Sequence, residues 1–117
     1  MDMIAQKTIA IEMLIEPGAE KLLSQMGRQM STKARSKVMN GALTHLRENV
    51  HAPEVSAWFS ELRFKPERRT TVRLSPENAD YADALAAMSG RGRPSILLDI
   101  VYLAASRMDK ADFEALK

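Results

Sequence analysis

The chain has 117 residues, 45% of them hydrophobic and only 5% aromatic, with no cysteine and a formal net charge of +2. That length suits one compact domain or two very small ones, built on aliphatic and methionine side chains. The lack of cysteine excludes disulfide staples, thiolate zinc sites and a cysteine nucleophile, and His45 and His51 lack the i, i+4 spacing of a metal pair.

In chain order, Met1-Asp2-Met3-Ile4 lacks the basic region of a signal peptide. No apolar run approaches the ~18 residues of a membrane span. A soluble cytoplasmic protein with no membrane partner is the expectation. Lys7-Thr8-Ile9-Ala10-Ile11-Glu12-Met13 then alternates with period two, as a half-buried strand does. Ile9, Ile11 and Met13 share one face, and Thr8, Ala10 and Glu12 the other. Pro17 stands near the start of a helix carrying Ala19, Leu22, Leu23 and Met26 and ending near Met30. Ser31-Thr32 is read as the cap of a longer helix through Ala34, Val38, Ala42, Leu43 and Leu46. Gly41 in its middle costs about 1 kcal/mol against Ala, unless a close helix contact needs the space.

The stretch from His51 to Lys65 is expected to be an ordered connector. Pro53-Glu54 starts a short helix whose Val55, Trp58, Phe59 and Leu62 share a face, with Trp58 and Phe59 packed onto the core. Arg63, Lys65, Arg68, Arg69 and Arg73 then cluster against only Glu61 and Glu67. Such local positive charge suits a polyanionic partner. Arg69-Thr70-Thr71-Val72-Arg73-Leu74 predicts a second strand, with Thr70, Val72 and Leu74 on one face and Arg69, Thr71 and Arg73 on the other. Ser75-Pro76-Glu77 is a helix start, with Ser as N-cap and Pro at the first helical position. That helix runs to about Ser89 on Ala79, Ala82, Leu85, Ala86 and Met88, and Gly90 stops it. After the basic turn Arg91-Gly92-Arg93, Pro94-Ser95 opens a helix through Ile96, Leu97, Leu98, Ile100, Val101, Leu103 and Ala104, apolar on most sides and therefore buried. Asp99 is the one acid in that run and is expected to be exposed or capping. Tyr81 and Tyr102 read as core-edge aromatics. The residues from Asp109 to Lys117 are expected to add one or two frayed turns.

Both halves thus follow the order strand, helix, turn, helix. The boundaries are a first unit over 1–50, the connector with its short helix over 51–66, a second unit over 67–108 and a tail over 109–117. One such unit has no partner for its strand and buries too little apolar surface to be stable alone. Two units pair their strands antiparallel and pool their second helices. The expected fold is mainly α with a short two-stranded antiparallel β-ribbon. The ribbon's outer face carries every second residue. A two-stranded ribbon fits the major groove of B-DNA, where Arg pairs with guanine and Thr touches base edges.

On Arg69 to Leu74, Ser75-Pro76-Glu77, Gly90 and the apolar second helix, the stretch from Arg69 to Arg107 resembles the ribbon-helix-helix family of DNA-binding proteins. Lys7 to Asn49 resembles it loosely. The resemblance implies an intramolecular pseudo-dimer and double-stranded DNA as partner. It implies base contacts from Arg69, Thr71 and Arg73, with Thr8 from the first strand. It implies phosphate contacts near the start of each second helix, at Arg91, Arg93 and Ser95 and at Ser31 and Lys33. Single-chain proteins of similar layout include accessory proteins of plasmid conjugation and plasmid partition, and the resemblance implies such a role or that of a transcriptional regulator.

Glu12 departs from the pattern, because it meets phosphates badly, although it can accept from cytosine. The competing reading is a protein–protein module in a partition or secretion assembly, docking through the basic strand and Trp58-Phe59. In a variant of the DNA reading, self-association pairs the second unit with that of another chain. No enzyme is expected: there is no phosphate-binding glycine loop, no pattern brings Ser, His and Asp together, and no catalytic residue, metal or cofactor is assigned.

Overall fold

The computed structural model describes residues 7–59 and 68–117. Strand β1 spans Ile9–Ile15, followed by helices α1 (Pro17–Gln29), α2 (Arg35–Asn49) and α3 (Ala52–Phe59). Strand β2 spans Arg68–Leu74, followed by α4 (Pro76–Ser89), α5 (Arg93–Arg107) and α6 (Lys110–Glu114). The described chain is therefore mainly helical, with one two-stranded sheet.

The strands pair antiparallel within the chain, from Ile9 opposite Leu74 to Ile15 opposite Arg68, with Glu12 opposite Thr71 at the centre. Ile11, Met13, Ile15, Val72 and Leu74 are buried beneath the ribbon. A two-stranded ribbon is marginal by itself. Burying each of these side chains contributes about 1.5–3 kcal/mol relative to exposure, so the apolar underside holds the ribbon on the helices.

Strand β1 lies two residues later than its sequence pattern suggests. Only Glu16, an extended N-cap, separates Ile15 from Pro17 at the start of α1, so the alternation continues to the helix. Ile9, at the free end, is 42% exposed. Strand β2 is followed as abruptly by α4. The Ser75 hydroxyl accepts from the Asn78 amide at 3.2 Å, and Gly90 closes the helix at φ 70°.

Helix α5 forms the middle of the molecule. It packs on β1, α1, α2 and α4, and is buried from Ile96 to Val101 and at Leu103 and Ala104. Its counterpart α2, also fifteen residues long, contributes Val38, Met39, Ala42, Leu43 and Leu46 to the same core. Helix α2 begins later than expected. Ser31 sits in the turn at φ 58°, and Thr32 accepts from the Ala34 amide at 3.1 Å, so Ser31-Thr32 shapes the turn and Ala34 is the N-cap.

Three further expectations are corrected. Met88 is 46% exposed, because Ala82 and Leu85 already fill the buried face of α4. Asp99 is fully buried and paired with Arg91. The tail forms the expected helical turn but is not frayed, since Asp109 and Asp112 make a reciprocal capping box and Phe113 is buried. Leu116 reaches Gly41, where an added Cβ would lie 2.8 Å from Met30 Cε and 3.1 Å from Leu116 Cδ1. A side chain at position 41 would therefore shift the ends of Met30 and Leu116.

Candidate nucleic-acid interface

The exposed face of the ribbon carries two chemically different rows. Arg69, Thr71 and Arg73 point outward from β2 and are exposed. The register sets Leu14, Glu12 and Ala10 opposite them on β1. Thr8 precedes the strand, yet its hydroxyl accepts from Arg73 Nε at 2.9 Å. Arg69 is held by Glu12, with Nη1 2.6 Å from Oε1. The ribbon thus presents one guanidinium toward each end and a Glu–Thr pair between them, and both guanidinium groups come from β2.

Helix α2 closes the free edge of β2 with side chains. Ser36 Oγ accepts from the Arg73 amide at 2.9 Å. Asn40 Nδ2 donates to the Arg73 carbonyl at 2.8 Å, and Asn40 Oδ1 accepts from the Ser75 amide at 2.9 Å. Asn78, itself buried, donates to Asn40 Oδ1 at 3.0 Å and to Thr44 Oγ1 at 3.1 Å. Backbone groups that a lone strand edge leaves unpaired are satisfied here. The backbone carrying Arg73 is therefore fixed from both sides.

Arg35, the first residue of α2, donates to Thr70 Oγ1 at 3.0 Å and to Glu20 Oε1 at 2.9 Å. Glu20 also pairs with Arg68. This cluster ties the starts of α1, α2 and β2 together.

The residues expected near phosphates differ in availability. Ser31 and Lys33 are exposed on the α1–α2 turn. Ser95 is half-buried in the first turn of α5. Arg93 pairs with Asp83 of α4 at 2.9 Å, and Arg91 pairs with buried Asp99. Burial pushes the Asp99 carboxyl up to about 7, against the opposing pull of the Arg91 guanidinium. Tyr102 donates to Glu16, and burial together with that bond raises its phenol to about 12.

Trp58 is 40% exposed, with the Arg107 guanidinium carbon 4.8 Å from its ring centroid. The expectation that it packs onto the core is corrected, since Val55 takes the buried position of α3. The side chain of Phe59, and Leu62, Arg63 and Lys65, lie outside the described residues.

Arg28, Arg35, Ser36 and Asn40 escape a reading of the two strands alone. A signal was available: from Arg28 to Lys37 the chain carries four cations and no acid. Among the described residues no group of three His, Cys, Asp or Glu side chains could hold a metal ion, and no helix is long and apolar enough to cross a membrane. No protein-family model matches the chain, and no curated protein or solved structure matches it either.

Proposed function

We propose that this chain binds double-stranded DNA by laying its β-ribbon in the major groove, as a cytoplasmic transcriptional regulator or an accessory protein of plasmid transfer or partition. The observation that carries the reading is the exposed row of Arg69, Thr71 and Arg73 on a ribbon whose other face is buried. An Arg on a strand can donate two parallel bonds to guanine O6 and N7, and a Thr can touch a neighbouring base edge. In the free protein both guanidinium groups rest on exposed partners, Glu12 and Thr8. An exposed ion pair such as Arg69–Glu12 contributes about 0–1 kcal/mol, and an exposed hydrogen bond such as Arg73–Thr8 about 0.5–1.5 kcal/mol, so exchanging them for base edges costs little.

The two strand–helix–helix units act in this reading as an intramolecular pseudo-dimer of ribbon-helix-helix type. Phosphate contacts come from Ser31 and Lys33 on the α1–α2 turn and from Ser95 in the first turn of α5. Arg91 contributes less, because it serves the buried Asp99, whereas Arg93 rests on the exposed Asp83 and exchanges it as Arg69 exchanges Glu12.

Fluorescence anisotropy with duplexes enriched from a random pool tests the proposal. Binding should weaken steeply with salt. Arg73→Ala should lose about 1–3 kcal/mol of specific binding with the circular dichroism spectrum unchanged. No binding at low salt, or a neutral Arg73→Ala, refutes it.

A second reading draws on the exposure of Trp58. There α3 docks a partner protein of a partition or secretion assembly. Trp58→Ala separates the two, since it leaves duplex binding intact if DNA is met by the ribbon alone.

A further inference from the structure

Between α1 and α2, beside the edge of β2, lies an open cavity of about 420 Å³. Its polar lining is Ser24, Arg28, Thr32, Lys33 and Arg35, over an apolar floor of Leu23 and Val38. No acid lines it. Arg35 is partly engaged by Glu20 and Thr70. Among the described residues, Arg28 and Lys33 have neither an ion pair nor a side-chain hydrogen bond.

The turn beside this cleft is built tightly. The Thr32 amide donates to the Gly27 carbonyl at 2.9 Å, and a Cβ on Gly27 would stand 2.7 Å from the Thr32 carbonyl oxygen. Thr32 is thereby held against α1, and it lines the opening together with Lys33 and Arg28. The equivalent turn of the second unit is different. Its two cations, Arg91 and Arg93, are each paired with an acid. Cationic side chains without acids remain at one turn and not at the other.

We infer that the α1–α2 cleft is an oxyanion site that takes a phosphate group, held by Arg28 and Lys33 with the hydroxyls of Ser24 and Thr32. Charge-assisted bonds from a guanidinium and an ammonium suit a phosphate's several acceptor oxygens. The phosphate belongs either to a DNA backbone running beside β2 or to a free phosphorylated small molecule. The site itself does not rest on the DNA reading.

Titration of the full 15N-labelled chain with inorganic pyrophosphate, against sodium chloride of equal ionic strength, tests it. Saturable amide shifts at Ser24, Arg28, Thr32 and Lys33 are expected, absent with chloride. The double variant Arg28→Gln/Lys33→Gln should bind at least about ten-fold more weakly, and Arg28→Lys should retain binding. Both positions are exposed, and the amide spectrum reports whether the fold is kept. Shifts that do not saturate, that chloride reproduces, that centre on Arg91 and Arg93, or that persist in the double variant overturn the site.

A short duplex distinguishes the two sources. A DNA phosphate in the cleft predicts that duplex displaces pyrophosphate and that the double variant flattens the log–log salt slope by about 1. A free ligand predicts simultaneous binding and an unchanged slope, which would also remove Lys33 from the DNA-phosphate contacts proposed above. If no duplex binds at all, the DNA reading falls, and the pyrophosphate titration still decides the cleft.

Discussion

Asp99 and Tyr81 put polar atoms among apolar core side chains, and each has a measurable consequence. An aspartate carboxyl in an unfolded chain titrates near 3.8, whereas burial lifts that of Asp99 to about 7. Between those values the folded chain binds more protons than the unfolded one. The stability that Asp99 contributes is therefore full below about pH 4 and lost as the pH rises through 7. Urea unfolding of Asp99→Asn and the parent chain should show the variant's relative stability growing with pH and levelling off above about 7. A difference constant with pH would mean that the group stays ionised throughout, held by Arg91. The Tyr81 hydroxyl is buried and, among the described residues, finds no hydrogen-bond partner. Tyr81→Phe removes that desolvated group and should raise unfolding free energy by about 1 kcal/mol. A loss of stability would show that a solvent molecule serves the hydroxyl.

At the scale of elements, the joints between strands and helices decide the architecture. Asn40 serves the Arg73 carbonyl and the Ser75 amide together, so Asn40→Ala should cost about 1–3 kcal/mol in a thermal or urea melt. Features whose cause lies within a few residues are legible in the sequence. Ser75-Pro76-Glu77 starts α4, Gly90 ends it, and the alternation of Arg69 to Leu74 sorts inside from outside. Features whose cause lies far along the chain are not. Nothing near Asn40 indicates that β2 will lie beside it, and nothing near Asp99 indicates that Arg91 will cover it. The start of α2 is misread for a related reason. Ser31 and Thr32 have the chemistry of a cap, but the contact of Gly27 with Thr32 draws both into the turn and delays the helix to Arg35. Of the candidate site, the outward row of β2 and the outward face of Thr8, Ala10 and Glu12 are legible, whereas the extension of β1 to Ile15, which sets Leu14 opposite Arg69, is not.

At the scale of the molecule, one buried cluster draws on both strands and on α1 to α6, so the two units share a single core. Val72 and Leu97 have no exposure within it, and Val72→Asp or Leu97→Asp should abolish cooperative melting by burying an unpaired charge. Because the strands pair inside one chain, the melting temperature should not change over a hundred-fold range of protein concentration. A rise with concentration would point to a second copy completing the core. The same pairing has a consequence for how such a surface can diverge. In a ribbon assembled from two identical polypeptides, any change of side chain appears twice, at mirrored points. Here each change appears once, so either strand is free to alter its outward chemistry while the other keeps its own.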